Sequence, residues 1–341
     1  MKRFISMAVL MASVAAPAVG QAADKFIVGV SNTLIGNGWR EEMICSVKAQ
    51  AKASGVVEKV ILANRNGGPT EQIADIRSLI SAGANAIIVN PSDRSALDPV
   101  IKQAKARGVV VVAVDQAVSS KDAYLVSNDQ VAYGSLSAEW LAKQIGGKGH
   151  VVEMRGIDGV PADADRHQGF TEAMKKYPDI KVTTVFNGWS LNTTAQKTKD
   201  LISSGEKIDG IFTTGQDAVV VDAYKAAGVP YPLIVGADNN AFIGQMISLQ
   251  EKGFKGAAVT NPASIGGAGL AVALDVLRKK EVKQKTLLAP EVWSNLTPEE
   301  TEKLKGEYDP KLDPYYSVAT DLKPFTTYSK ADVIDCKAPG E

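Results

Sequence analysis

The sequence predicts an α/β protein made of two doubly wound parallel-sheet lobes joined by a multi-strand hinge. Short apolar, β-branched runs alternate with amphipathic helical segments in two successive series, and 341 residues exceed what one small core usually organises. Runs such as Val109–Val112 are apolar at every position, which is typical of strands covered on both faces. Helices on both faces of a parallel sheet define the doubly wound class.

The two series have the same alternating order. In the first, the predicted strands are Phe26–Val30, Val57–Ala63, Ala86–Val89 and Val109–Val114, and the predicted helices are Trp39–Ser54, Thr70–Ala82 and Ser95–Ala106. In the second, which begins after Ser127-Asn128-Asp129, the predicted strands are His150–Met154, Lys181–Phe186, Gly210–Thr214, Pro232–Ala237 and Gly256–Thr260, with helical segments between them.

We expect the chain to cross between the lobes more than once. Asn261-Pro262 interrupts the second series ahead of the Gly- and Ala-rich helix Gly266–Leu277, which is expected to return to the first lobe. From about Lys283 we expect a closing strand, a helix over Pro298–Lys305 and an extension wrapped on the second lobe. The expected division is a signal peptide over 1–22, a first lobe over 23–127 and 262–294, and a second lobe over 128–261 and 295–341.

The N-terminus has the three-part layout of a secretion signal. Lys2 and Arg3 precede an apolar run from Phe4 to Val19, and small residues at Gly20–Ala22 offer a cleavage site. A transmembrane anchor is the alternative, but the run is shorter than the roughly 20 apolar residues of a span and contains Pro17. Because no cysteine near the cleavage point accepts a lipid, we expect a soluble periplasmic protein.

Charge and cysteine content narrow the partners and the compartment. Lys+Arg and Asp+Glu number 38 each, and no basic run provides the footprint of a nucleic-acid-binding protein. The two cysteines, Cys45 and Cys336, are able to pair in an oxidising compartment. Alternatively, Cys45 is a small buried helix residue and Cys336 is a free thiol.

Motifs for common catalytic chemistries are missing from the sequence. Gly147-Lys148 lacks the preceding glycine and the following hydroxyl residue of a phosphate-binding loop. Gly36-Asn37-Gly38 begins a dinucleotide fingerprint, but Glu41 occupies the third glycine position and would repel a phosphate. The two histidines lack zinc-binding spacing, and no Gly-x-Ser-x-Gly elbow presents a nucleophile. We therefore expect no catalytic residue, cofactor or metal.

Two long segments between Asn66 and Asp115, GGPTEQIADIRSLISAGANAIIVNPSD and ALDPVIKQAKARGVVVVAVD, closely resemble the periplasmic sugar-binding proteins of ABC importers, the ribose-binding-like type I group. Further matches, ADADRHQGF, GVPYPLIVGADN and VTNPASIG, extend the resemblance over nearly all of Lys25–Leu288. The resemblance implies the type I periplasmic binding protein fold, a sugar ligand and a permease partner. Lactose-repressor-type regulators share this fold, but a secretion signal stands here where their DNA-binding helices would be.

The candidate ligand contacts follow the predicted strands, because ligands of open α/β sheets bind beyond the carboxyl ends of the strands. They are Asn37, Trp39, Arg40, Asp115, Gln116, Arg166, Trp189, Gln216, Asp238 and Asn261. A neutral sugar needs flat apolar surfaces for its C–H faces and paired hydrogen-bonding groups for its hydroxyls. In this hypothesis Trp39 and Trp189 enclose the ring, Asp115 and Asp238 accept from hydroxyls, and Arg166 donates together with the amides.

These residues also have structural interpretations. A tryptophan is often a core residue, and an aspartate at a strand end is often a helix N-cap. Arg166 has the alternative of capping its own helix or pairing with Asp163 or Asp165 on the surface. The pattern also departs from that of ribose-binding proteins, which have two aromatic residues at Trp39-Arg40 and commonly an arginine at Gln116. If Arg40 replaces the missing donor, a sugar or polyol other than ribose is favoured.

The sequence leaves three functions to compare. The leading hypothesis is a monomeric carrier that binds a pentose, hexose or sugar alcohol, closes by hinge bending and delivers the ligand to an ABC permease in the inner membrane. The alternative is a sugar-sensing binding protein that presents its ligand to a chemoreceptor or sensor kinase. A sugar-converting enzyme using Asp115 or Asp238 as acid or base is the third. Because catalytic motifs are missing, we predict a binding protein.

Overall fold

The computed structural model describes residues 25–341, so the predicted signal peptide lies outside the described residues. The strands in this range are β1 (Phe26–Asn32), β2 (Val57–Asn64), β3 (Ala86–Val89), β4 (Val110–Val114), β5 (Tyr124–Asn128), β6 (Gly149–Arg155), β7 (Ile180–Phe186), β8 (Gly210–Phe212), β9 (Leu233–Ala237), β10 (Gly256–Val259), β11 (Lys285–Leu288) and β12 (Val292–Ser294). The helices are α1 (Gly38–Ser54), α2 (Pro69–Ser81), α3 (Asp98–Ala106), α4 (Gln130–Gln144), α5 (Pro161–Met174), α6 (Leu191–Ser203), α7 (Asp217–Ala227), α8 (Asn240–Ser248), α9 (Ile265–Leu277), α10 (Pro298–Glu307) and α11 (Lys330–Asp335).

The first lobe is built on a six-stranded parallel sheet with the order β11-β5-β4-β3-β1-β2. The four predicted strands of the first series are present, each within two residues of its expected ends. The sequence prediction ends this series at Val114 and misses β5. The apolar run Ala123–Val126 passes directly into Ser127-Asn128-Asp129, which the sequence analysis took as the boundary between the two series.

The second lobe has a six-stranded sheet with the order β12-β10-β9-β8-β6-β7. Its strands β6 to β10 are parallel, as expected, and β12 pairs antiparallel with β10. The expected first-lobe segment 262–294 therefore extends too far, because Val292–Ser294 pairs with the second sheet. The chain changes lobes between Leu288 and Val292, where three residues join β11 to β12.

Apolar clusters cover both faces of both sheets. In β3, Ile88 packs towards α1 and α9, whereas Ile87 and Val89 pack towards α2 and α3. The second sheet has the same arrangement, with one cluster under α7 and α8 and the other under α4 and α5. Because successive side chains of a strand point to opposite faces, fully apolar strands are the ones buried in this way. The predicted doubly wound α/β fold is confirmed.

Three crossings connect the sheets of the two lobes. The first leads from β5 into α4, whose N-cap Asp129 accepts a hydrogen bond from the Ala132 amide at 2.9 Å. The second leads from β10 into α9, which packs on α1 and β4 of the first lobe as expected. The side chains of Asn128 and Asn261 are hydrogen-bonded to each other, so the first two crossings lie side by side. The third joins β11 to β12.

The C-terminal extension differs from its prediction. Helix α10 packs on α8 and β12 of the second lobe, as expected, but α11 packs on α1 of the first lobe. Leu322 and Phe325 pack against the first-lobe core, so the burial of these apolar side chains holds the end of the extension on the first lobe. The structure joins Cys45 of α1 to Cys336 in a disulfide. Within residues 25–341, no helix is both long enough and apolar enough to cross a membrane.

Candidate ligand-binding cleft

A cavity lies between the two lobes, beside the carboxyl ends of β4, β8 and β9 and the first turn of α1. Its volume is about 60 Å³. The residues that line it are Gly36, Asn37, Gly38, Trp39, Arg40, Asp115, Ala162, Arg166, Trp189, Leu191, Thr214, Gly215, Gln216, Ala237, Asp238, Asn239, Asn261, Tyr315 and Ser317.

The structure brings nine of the ten predicted contact residues to this cavity. The exception is Gln116, whose Nε2 donates to Asn90 Oδ1 at 2.6 Å and whose Oε1 accepts from the Ala162 amide at 3.0 Å. Ala162 belongs to the second lobe and Gln116 to the first. Gln116 therefore bridges the lobes instead of lining the cavity.

The start of α1 forms the first-lobe wall of the cavity. Asn37 is the N-cap of this helix, and its side chain accepts from the Arg40 amide at 3.2 Å. Arg40 is buried and donates from Nη1 to Asn32 Oδ1 at 3.0 Å. Burial lowers the pKa of Arg40 to about 10, with Asp115 opposing that shift and Arg166 adding to it. Arg40 thus places a desolvated cation beside the cavity.

Asp115 stands at the end of β4 in a left-handed backbone conformation, with φ of 64°. Such a conformation is uncommon for a residue with a side chain, and it turns the carboxylate away from the strand direction. Its Oδ1 accepts from Gln130 Nε2 at 2.8 Å. Burial raises the pKa of Asp115, and the nearby cations Arg166 and Arg40 act against that shift.

Arg166 is positioned by the close contact of α4 with α5. Gly134 lies against the Arg166 carbonyl, where a Cβ would clash, so the two helices meet backbone to backbone. The Arg166 guanidinium then lies 4.5 Å from the centre of the Tyr133 ring and donates from Nε to Gln130 Oε1 at 2.8 Å. A cation over an aromatic face is a stabilising arrangement. These contacts hold the remaining guanidinium donors beside the cavity.

Among the described residues, Arg166 forms no ion pair with Asp163 or Asp165. Asp163 is paired with Arg155, with 2.5 Å between Oδ2 and Nη2. Asp165 is paired with Arg94 of the first lobe, also at 2.5 Å. Among residues 25–341, Asp115 forms no ion pair within 4 Å with Arg40 or Arg166, although all three line the same cavity. The donors and acceptors of these three side chains that face the cavity are therefore available to a ligand.

Trp39 and Trp189 contribute aromatic surface from opposite lobes. Trp39 Nε1 donates to the Asn261 carbonyl at 2.5 Å, and Trp189 Nε1 donates to Thr214 Oγ1 at 2.9 Å. Trp189 has a φ of 55°, and its ring occupies the space in which a side chain at Gly156 would lie. Both indoles are partly buried and line the cavity, and Trp39 also packs against the first-lobe core.

The polar residues that line the cavity from the second lobe differ in how many hydrogen bonds they form within the protein. Asp238 is buried and accepts from Ser317 Oγ at 2.6 Å and from the Asn261 amide at 2.9 Å. Burial raises its pKa, and these hydrogen bonds oppose the shift. Gln216 Oε1 is buried without a hydrogen-bond partner among the described residues. An unpartnered buried oxygen beside a cavity is a ready acceptor for a ligand hydroxyl.

The sequence analysis missed the remaining polar lining residues. Asn239 comes directly after Asp238, and Thr214 lies two residues before Gln216 at the end of a predicted strand, so a wider window at these strand ends would have found both. Tyr315 and Ser317 come from the C-terminal extension, which follows no strand–helix rhythm. No local pattern in the sequence marks these two residues.

Two α/β lobes joined by three crossings, with a polar and aromatic cavity between them, define a hinged ligand-binding protein. The profile of the periplasmic binding protein domain matches residues 28–281. The chain belongs to this family.

Two relatives and one solved structure show how similar this chain is to other binding proteins. The chain is 33% identical over 239 residues to the xylitol-binding protein of Mycolicibacterium smegmatis, covering 68% of this chain and 67% of that one. It is 26% identical over 269 residues to the ribose import binding protein of Bacillus subtilis, covering 78% and 86%. The crystal structure of an ABC transporter solute-binding protein from Thermobispora bispora superposes with a TM-score of 0.74 at 26% identity, covering 86% and 100%.

Proposed function

We propose that this protein captures one neutral monosaccharide or sugar alcohol in the cleft and delivers it to an ABC permease in the inner membrane. The cavity carries this proposal: Arg40, Asp115 and Arg166 line it, buried, without pairing with one another. In a closed cleft such groups are costly unless a ligand completes their hydrogen bonds. Adjacent hydroxyls of a sugar or polyol supply both donors and acceptors for them.

The aromatic residues support a carbohydrate over other neutral ligands. Trp39 and Trp189 reach the cavity from opposite lobes. Their flat apolar faces suit the C–H faces of a sugar, while the charged groups suit its hydroxyl rim. The relatives named for xylitol and ribose support the same ligand class.

The cellular setting follows from the family and the N-terminal segment. We propose that residues 1–22 direct export and that the protein works as a monomer in the periplasm, binding its ligand without converting it. Ligand contact with both lobes favours the closed state, and the closed state is the form offered to the permease.

A thermal-shift screen over pentoses, hexoses, sugar alcohols, amino acids, peptides and carboxylates tests this proposal. A ligand present at about 100 times its dissociation constant should add about 2.7 kcal/mol to the free energy of unfolding. The ligand recovered after incubation should be unchanged. If amino acids or carboxylates stabilise the protein while every sugar and polyol fails, the carbohydrate proposal is wrong; conversion of the recovered ligand would overturn the carrier proposal.

A further inference from the structure

The C-terminal extension crosses the cavity on its way to the first lobe. We name residues 313–336 the strap. Its first part lies on the second lobe and places Tyr315 and Ser317 in the cavity lining. Its second part lies on the first lobe and ends at Cys336, which is bonded to Cys45 of α1. The strap is thus a further connection between the lobes, besides the three crossings of the hinge.

Backbone hydrogen bonds hold the first part of the strap on the second lobe. The Asn240 amide donates to the Tyr316 carbonyl at 2.8 Å, and the Ala241 amide donates to the Pro314 carbonyl at 2.8 Å. Both donors belong to the first turn of α8, whose leading amides have no partner within the helix. The strap therefore supplies the acceptors that this helix start needs, which fixes its position beside β9.

Ser317 connects the strap to both lobes at the cavity wall. Its Oγ donates to Asp238 Oδ2 in the second lobe at 2.6 Å, and its amide donates to Glu42 Oε2 in α1 at 2.6 Å. Glu42 is fully buried, and burial raises its pKa well above the ordinary value, with Asp238 adding to the shift. A neutral carboxyl at this position avoids a second negative charge beside Asp238.

Tyr315 lies directly against the first turn of α1. A Cβ at Gly38 would be 2.5 Å from the Tyr315 Cβ, so the missing side chain at Gly38 is what lets the strap touch the helix. Both residues line the cavity next to Trp39. Partial burial raises the pKa of Tyr315, with Asp222 and Asp313 adding to the shift, so the phenol stays neutral.

We propose that the strap, through Tyr315, determines ligand size: it closes one side of the cleft so that a free monosaccharide or polyol fits and a sugar bearing a further substituent does not. This inference rests on the proposed carbohydrate function. Specificity of this kind comes from a steric barrier against the wrong ligand. Tyr315 lies outside residues 28–281, the part of the chain that matches the family profile.

The test compares wild type with Tyr315→Ala and Tyr315→Leu by calorimetric titration. The probes are the free sugar or polyol found in the screen, its methyl derivative (the methyl glycoside of a sugar or the monomethyl ether of a polyol) and a disaccharide or glycosylated polyol containing it. Leucine keeps an apolar contact with Gly38, so it serves if the alanine variant is unstable. Tyr308→Ala is the matched control, because Tyr308 lies in the same extension but does not line the cavity.

We expect both Tyr315 variants to gain affinity for the methyl derivative by about tenfold or more relative to the free ligand, as a removed steric contact should. Tyr308→Ala should keep wild-type selectivity. If wild type binds the free sugar and the variants keep its selectivity, the size-limiting role is wrong while the carbohydrate function stands. If wild type binds no carbohydrate, both proposals fall.

Discussion

Arg94 of the first lobe and Asp165 of the second lobe form an ion pair, with 2.5 Å between Nη2 and Oδ1. The pair joins the lobes independently of the hinge, as does the hydrogen bond from the Ala162 amide to Gln116. Both contacts require the two lobes to lie close together, because each one joins a residue of the first lobe to a residue of the second. The pair therefore stabilises the closed state rather than either lobe alone.

Removing this ion pair should weaken ligand binding only slightly. The Arg94 side chain is 43% exposed, and exposed pairs contribute about 0–1 kcal/mol. Arg94→Ala should therefore lower ligand affinity by at most about fivefold, with a smaller effect at high salt. Calorimetric titration at two salt concentrations measures both effects. Lys105→Ala, which breaks a pair within the first lobe, should leave affinity unchanged. Equal losses in the two variants would contradict the closing role.

Arg166→Ala should have a much larger effect, because Arg166 is buried beside the cavity. Losing charge-assisted hydrogen bonds to ligand hydroxyls costs about 2–4 kcal/mol, or roughly 30- to 1,000-fold in affinity. Arg166→Lys should not restore binding, because a point charge lacks the planar guanidinium fork. Calorimetric titration of the ligand into the folded variants measures these affinities. Near wild-type affinity in Arg166→Ala would remove this residue from the proposed site.

Ligand binding should change tryptophan emission and reduce the radius of gyration together. Trp39 and Trp189 line the cavity from opposite lobes, so a bound ligand alters the surroundings of both indoles. Trp140→Phe is the matched control, because Trp140 belongs to α4, packs against the second-lobe core and does not line the cavity, so the variant should respond as wild type does. Fluorescence titration and small-angle scattering on the same samples measure the two effects. An emission change with an unchanged scattering profile would argue against lobe closure.

The disulfide should contribute measurably to stability. It joins residues 291 positions apart, and a bridge across a long loop typically stabilises by about 2–4 kcal/mol, mainly by restricting the unfolded chain. Urea unfolding of the Cys45→Ser, Cys336→Ser double variant should show that loss. A reducing agent should destabilise wild type and leave the double variant unaffected. Identical unfolding of wild type with and without reductant would show that the bridge adds nothing.

Stability should fall as pH rises through the range in which Asp217 ionises. Burial raises the pKa of Asp217 to about 6, against an ordinary value of about 3.9, although Gly215 and Ala237 amides donate to its carboxylate. Between these two values the folded state binds the proton more tightly than the unfolded state does. The contribution is therefore fully present below about pH 4 and lost above about pH 6.

Asp217→Asn should flatten this part of the pH profile, measured as the free energy of unfolding in urea from pH 4 to pH 7. Asp222→Asn, a substitution of a more exposed carboxylate on the same helix, should leave the slope as in wild type. The slope, rather than the absolute stability, is the quantity to compare, since asparagine also changes the local hydrogen bonds. An unchanged slope in Asp217→Asn would show that a group other than Asp217 causes the pH dependence.

Local pattern was sufficient for most of the fold and for much of the cleft. A strand such as Ala86–Val89 is apolar at every position because it is buried on both faces, and that property is visible without the structure. The rule that ligands bind beyond strand ends then led to Asp115 and Asp238, because parallel strands bring their carboxyl ends to one edge. Strand β5 escaped this reasoning, because its apolar run passes directly into Ser127-Asn128, which the sequence analysis took as the boundary between the two series.

Tertiary structure alone decided which distant groups meet. Arg166 contacts Gln130 and Tyr133 instead of its sequence neighbours Asp163 and Asp165, because the glycine contact between α4 and α5 sets how closely those helices pack. Tyr315 reaches the cavity because its neighbours Pro314 and Tyr316 accept backbone hydrogen bonds from the first turn of α8. Contacts of this kind depend on the packing of whole elements, and local periodicity carries no information about partners so far apart along the chain.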